Sequence, residues 1–130
     1  MIMRHDILAD VFNIIKIAES IGKNECIVPA SKVVRDILKI MQVNGYIGTF
    51  EYIDDNKGGK FKIKILGKIN EAKAIRPRFN VKKNEFIKWE KRFLPSVNNG
   101  ILIISTSSGI MTHRDAKKLN IGGQLLGYVY

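Results

Sequence analysis

The sequence predicts an α+β protein of two small lobes. An N-terminal α-β-α-β-β lobe spans residues 1–68, and a mainly β C-terminal lobe with short helices spans residues 69–130. Three observations carry this. Two early stretches repeat their apolar residues at helical spacing, and strand-like segments follow each of them. A polar connection, Gly67 to Ala74, interrupts the apolar pattern halfway along the chain. Beyond it the apolar runs are short and rich in β-branched and aromatic residues, which favours strands over helices.

In order, Asp6 can cap a first helix whose apolar positions are Ile7, Val11, Ile14, Ile15, Ala18 and Ile21, with Gly22 as its stop. Glu25 to Val28 reads as a short strand ending at Pro29. Ser31 caps a second helix with Val34, Ile37, Leu38 and Met41 on one face, and Gly45 ends it. Ile47 to Ile53 leads into a loop rich in Asp, Asn and Gly, a hairpin signal. The return strand alternates strictly, with Phe61, Ile63 and Ile65 set against Lys60, Lys62 and Lys64. Ile75 to Lys83 reads as extended around Arg76-Pro77-Arg78. Asn84 to Phe93 reads as a short helix with Phe86, Trp89 and Phe93 at helical spacing. That spacing favours core packing over base stacking.

At 130 residues with 45% apolar content, the chain can build a real core. It holds 22 Lys+Arg against 12 Asp+Glu, a net charge of +10. Residues Lys57 to Arg92 contain 13 basic and 3 acidic residues, so the remainder, 9 and 9, is neutral. Such a localised surplus fits a polyanionic partner, although a solvated basic face would carry the same charges. The one cysteine, Cys26, excludes an intramolecular disulfide and a cysteine-based zinc site. Asp6 and Asp10 interrupt the apolar N-terminus, which reads neither as a signal peptide nor as a membrane span, so an intracellular protein is expected.

No catalytic constellation emerges. His5 and His113 lack partners at familiar metal-ligand spacings, and His113, in the first turn of a short helix, reads as a surface residue. Ser105, Ser107 and Ser108 lack the flanking glycines of a nucleophile elbow, and no GxxxxGK phosphate loop occurs. The expectation is a non-enzyme without cofactor or metal.

The stretch from Gly100 to Gly123 stands out. Ile101 to Ile104 reads as a buried strand that turns at once into Ser105, Thr106, Ser107 and Ser108, with a turn at Gly109. Thr112 and Asp115 resemble a capping box for a helix through Ala116 to Leu119. Gly122-Gly123 then breaks that helix before a last strand, Leu125 to Tyr130. A rigid strand would thus carry hydroxyls, cheap to order and able to donate and accept, to a rim where glycines let another backbone approach. An ordinary Ser/Thr/Gly connection would look similar.

Ser105-Thr106-Ser107, Gly109, Met111-Thr112, Asp115-Ala116-Lys117-Lys118, Gly122-Gly123, Leu125-Leu126 and Tyr128-Val129-Tyr130 together resemble the C-terminal signature of the ribosomal protein S8 family in its archaeal and eukaryotic form. The segments PASKVVRDILKIMQVNGYIG, GKINEAKAIRPRF and KWEKRFLP extend the resemblance along essentially the full chain. It implies a two-lobed, primary binder of the central domain of small-subunit ribosomal RNA, cytoplasmic within the small subunit. Its expected partners are that RNA and other small-subunit proteins, and the free protein is expected to be monomeric. An alternative is a translational repressor that binds a messenger RNA mimicking the ribosomal site.

The resemblance places RNA contact on Ser105, Thr106 and Ser107, with Ser108 beside them and Gly122 and Gly123 near the same site. Gln124 stands where many relatives carry a charged residue, and can still hydrogen-bond. Arg4, Asp6 and Lys32 are the expected contacts of the N-terminal lobe, and Lys32 also lies at a helix start, where an anion is favoured.

Overall fold

In a computed structural model the described residues are 7–56, 58–75, 79–95 and 100–130. The chain divides into two compact units, Met1–Ile69 and Asn70–Tyr130. The arrangement is α+β, with antiparallel sheets in both units.

The first unit runs α1 (Ile7–Ser20), β1 (Glu25–Pro29), α2 (Lys32–Val43), β2 (Ile47–Ile53) and β3 (Lys60–Ile65). The three strands pair antiparallel in the order β1-β3-β2. The alternating strand β3 is central because it is the one with a fully apolar side, and Phe61, Ile63 and Ile65 are all buried. Helix α2 starts as its sequence requires: the Ser31 hydroxyl accepts the Val34 N–H at 3.1 Å, and Val34, Ile37, Leu38 and Met41 are buried.

Helix α1 departs from expectation. Its buried residues are Leu8, Val11, Phe12, Ile15 and Ala18, while Ile21 lies beyond the helix and is 61% exposed. Leu8, Val11, Phe12 and Ile15 make the i, i+3, i+4, i+7 set. The helix is therefore rotated from the face that Ile14 and Ile21 would define. Asp6, expected as its cap, lies outside the described residues.

The second unit runs β4 (Ala72–Ala74), β5 (Asn80–Val81), α3 (Phe86–Phe93), β6 (Ile101–Thr106), β7 (Gly109–Thr112), α4 (His113–Leu119) and β8 (Gly123–Val129). The strand order is β4-β8-β6-β7, with β5 also paired to β8. Two of these strands were not expected. Part of the polar connection forms β4, which pairs Ala72 with Val129 and Ala74 with Gly127. The residues between the turn and the last helix form β7, which pairs Ile103 with Thr112 and Thr106 with Gly109. Neither three- nor four-residue strand has enough sequence to show a period by itself.

One core of this unit gathers Ile75, Val81, Phe86, Trp89, Leu94, Leu102, Ile104, Ala116 and Leu125. Phe79, Trp89, Phe93, Tyr128 and Tyr130 continue it as a stack, with successive ring centroids 4.7, 6.2, 5.4 and 6.0 Å apart. The aromatics of α3 therefore pack within the domain. Helix α4 is closed by Asn120, in the left-handed conformation at φ 59°, and not by the glycine pair that follows.

Those glycines serve the sheet. A Cβ on Gly122 would collide with the Val81 carbonyl oxygen of β5, and one on Gly123 with the Ser105 carbonyl oxygen of β6. Gly122→Ala and Gly123→Ala should each lower stability by roughly 1–3 kcal/mol, as overpacking does. Urea unfolding should show the loss, and an unchanged midpoint for both would contradict the packing described.

Candidate nucleic-acid interface

Strands β6 and β7 form a tight hairpin whose tip is Ser107-Ser108. Gly109 supplies the positive φ, 114°, that the return requires, while nothing crowds its Cβ position. Thr106 fixes the tip: its hydroxyl donates to the Gly109 carbonyl at 2.8 Å and accepts the Ser108 N–H at 3.1 Å. The four residues of the hydroxyl stretch are thus unequal. Thr106 spends its donor inside the hairpin. Ser105, Ser107 and Ser108 make no side-chain hydrogen bond among the described residues.

Gln124 stands beside Ser105 in the β6–β8 ladder, and Gly122 and Gly123 bring that ladder and β5 together. The pair does admit a close backbone, but it is the chain's own. Lys32 is the first residue of α2, behind the Ser31 cap, on a shallow cleft that includes Arg35, Tyr52 and Phe61. Lys32 and Arg35 form no ion pair among the described residues. Arg4 and Asp6 lie outside the described residues. The structure therefore brings Ser105, Ser107, Ser108, Gly122, Gly123 and Gln124 to one end of the second unit's sheet, and places Lys32 in the first unit.

The basic stretch is not one patch on one element. Its first part belongs to the first unit, where Lys62 pairs with Glu25 at 3.4 Å and Lys60 lies 3.8 Å from Asp55. In the second unit, Lys82 and Lys83 are exposed just after β5, and Arg92 lies over the rings of Phe79, Trp89 and Phe93 at 5.0–5.5 Å. The cationic side chains thus include paired, stacked and free members.

His113 is not a surface residue. Its side chain is 0% exposed, and Nδ1 accepts the Leu102 N–H of β6 at 3.0 Å. That bond fixes the neutral tautomer with hydrogen on Nε2. Nε2 lies 3.1 Å from Glu90 Oε1, although its N–H finds no well-directed acceptor. Glu90, 5% exposed, is held through Oε2 by Lys117 Nζ at 2.7 Å. Helix spacing could have shown that Glu90 follows Phe86 at i+4 on the buried side, but nothing in the sequence paired it with His113.

His113 and Glu90 are buried, and Lys117 reaches Glu90 from the exposed side of α4. Burial lowers the His113 pKa below its usual 6.5, with Arg114 and Lys117 acting the same way and Glu90 partly offsetting them. Among the described residues no three His, Cys, Asp or Glu side chains are grouped to hold a metal ion. No helix among them is long and apolar enough to cross a membrane.

The family model described as ribosomal protein S8 matches residues 6–130, and the chain belongs to that family. A protein named small ribosomal subunit protein uS8, from Methanococcoides burtonii, is 47% identical over 126 residues, covering 96% of this chain and 97% of its own.

The buried histidine generates a pH dependence. Above the unfolded-state pKa near 6.5 both states are neutral at His113, and its titration costs nothing. Below it the unfolded chain binds a proton that the folded chain resists, so stability falls with pH until the lowered folded pKa is passed. The slope from this one group cannot exceed about 1.4 kcal/mol per pH unit. Urea unfolding from pH 7.5 to 5 should show a shallower decline for His113→Asn, which keeps an acceptor for the Leu102 N–H, than for the wild type. Parallel declines would refute a depressed His113.

Proposed function

We propose that this protein is a constituent of the small ribosomal subunit that binds the central domain of small-subunit ribosomal RNA and helps that RNA fold during assembly. Family membership supports the reading, as does the name of the archaeal relative. The observation that carries it is the β6–β7 hairpin, a rigid support holding unspent hydroxyls on Ser105, Ser107 and Ser108 beside the Gln124 amide.

The chemistry suits duplex RNA. An A-form helix hides its base edges in a deep, narrow major groove and displays 2′-hydroxyls and base edges in a wide, shallow minor groove. Short neutral side chains that both donate and accept match that surface, and preorganisation on strands limits the entropy lost on binding. In this reading Ser105, Ser107, Ser108 and Gln124 touch RNA. Thr106 sets the tip for them, and Gly122 and Gly123 let β8 come close enough to present Gln124. Lys32 and Arg35 of the first unit, with Lys82 and Lys83 of the second, supply the phosphate attraction that positions without specifying. Other small-subunit proteins are the remaining partners, and the cytoplasm is the site of action.

The test is binding to a central-domain RNA fragment and to an unrelated duplex of equal length across a salt series to roughly 0.3 M, where phosphate contacts fade fastest. Wild type should keep a preference for the fragment at the highest salt. Ser107→Ala should reduce that preference with the fold intact, at a cost of roughly 1–3 kcal/mol where it strands a buried partner. Thr106→Ala should reduce it too, by loosening the tip, and Thr106→Ser should restore it. Equal binding to both RNAs that collapses with salt would reduce the protein to a polyanion magnet.

A further inference from the structure

The strand register lines up three neutral hydrogen-bonding residues, of which the family resemblance marks only two. Ser105 of β6 is opposite Gln124 of β8, and Gln124 is in turn opposite Asn80 of β5. Residues directly opposite in antiparallel strands project from the same face. The neighbours agree: Ile104, Leu125 and Val81 go into the core on the other face. Asn80 is exposed, and neither its amide nor that of Gln124 has a hydrogen-bond partner among the described residues.

We propose that Asn80 is an RNA-reading residue. Ser105, Gln124 and Asn80 would form one continuous row that hydrogen-bonds ribose 2′-hydroxyls and base edges along a shallow RNA minor groove. The inference rests on the RNA-binding reading above and deepens it.

Two further observations favour it. Asparagine is depleted in strands and usually occurs where it does a local job. Asn56 and Asn120 adopt left-handed backbone, and the Asn44 side chain bonds the Ile40 carbonyl at 2.8 Å. Asn80 has no positive φ and its side chain makes no hydrogen bond among the described residues, so it is left available to a partner. Its position is nevertheless tightly set. The Phe79 carbonyl accepts the Leu125 N–H at 2.9 Å, and the missing side chain of Gly122 lets Val81 lie against β8. With strands about 4.8 Å apart, the row is roughly 10 Å wide, matched to a shallow groove and too wide for a deep, narrow one.

The experiment compares wild type with Asn80→Ala, in the full chain, for binding to the central-domain fragment and to the unrelated duplex over the same salt series. Asn80→Ala should weaken binding to the fragment roughly five- to fifty-fold, as loss of a paired polar group does. Its salt slope should not change, because a neutral side chain releases no counterions. Affinity for the unrelated duplex and the urea midpoint should also be unchanged. Unaltered affinity for the fragment, in a wild type that still discriminates, would overturn the role of Asn80 and leave the RNA reading standing. An equal loss on both RNAs would overturn it as well. A wild type that does not discriminate would bring down both readings.

Discussion

The second unit depends on a close approach of backbones. Strand β8 enters the sheet through Gly122 and Gly123, where the Val81 and Ser105 carbonyls occupy the space that side chains would need. Beyond that point β8 pairs with β6 on one side and with β4 and β5 on the other. The three polar residues at the sheet's end line up because Gln124 is opposite both Ser105 and Asn80. The glycines therefore set what stands next to what at this end of the sheet.

A second constraint is the polar set of buried Glu90 and His113 with the exposed Lys117. It ties α3, α4 and β6 together: one histidine nitrogen accepts from the β6 backbone, and the other faces a carboxylate that Lys117 holds. A buried carboxylate is expensive unless matched, so removing either partner should cost more than the net worth of the intact set. In exchange the short helix α4 is held in one orientation, together with the β7 strand that leads into it.

What the sequence disclosed followed from how local each signal was. Strand β3 and helix α2 were legible because burial on one face leaves a strict period, and the Ser31 and Thr112 caps because a cap is a contact three residues long. Helix α1 was rotated from its expected face because Ile7, Ile14 and Ile21 offered a competing apolar stripe that only tertiary packing could decide between. Strands β4 and β7 were missed for shortness. The hydroxyl stretch was visible as composition, but its division of labour, with Thr106 tied into the turn, depends on hydrogen bonds a sequence does not show. Asn80 lies 25 positions from Ser105 in sequence, two strands away in the sheet. His113 reads locally as a surface residue because nothing local says that β6 and α3 close over it.

The place of β8 in the sheet also bears on how the protein is made. Strands β4, β5 and β6 all pair with β8, and all three precede it in the chain. Ribosomes extend a chain at roughly 5–20 residues per second. From the time β4 emerges until β8 follows it, a matter of seconds, β4 and β5 have no ladder partner, and β6 has only β7. The ladders to β8 can form only once β8 has emerged, and until then no strand links Ser105 to Asn80. A chain in which β8 has not yet emerged therefore cannot display the row, because both pairings that build it run through Gln124.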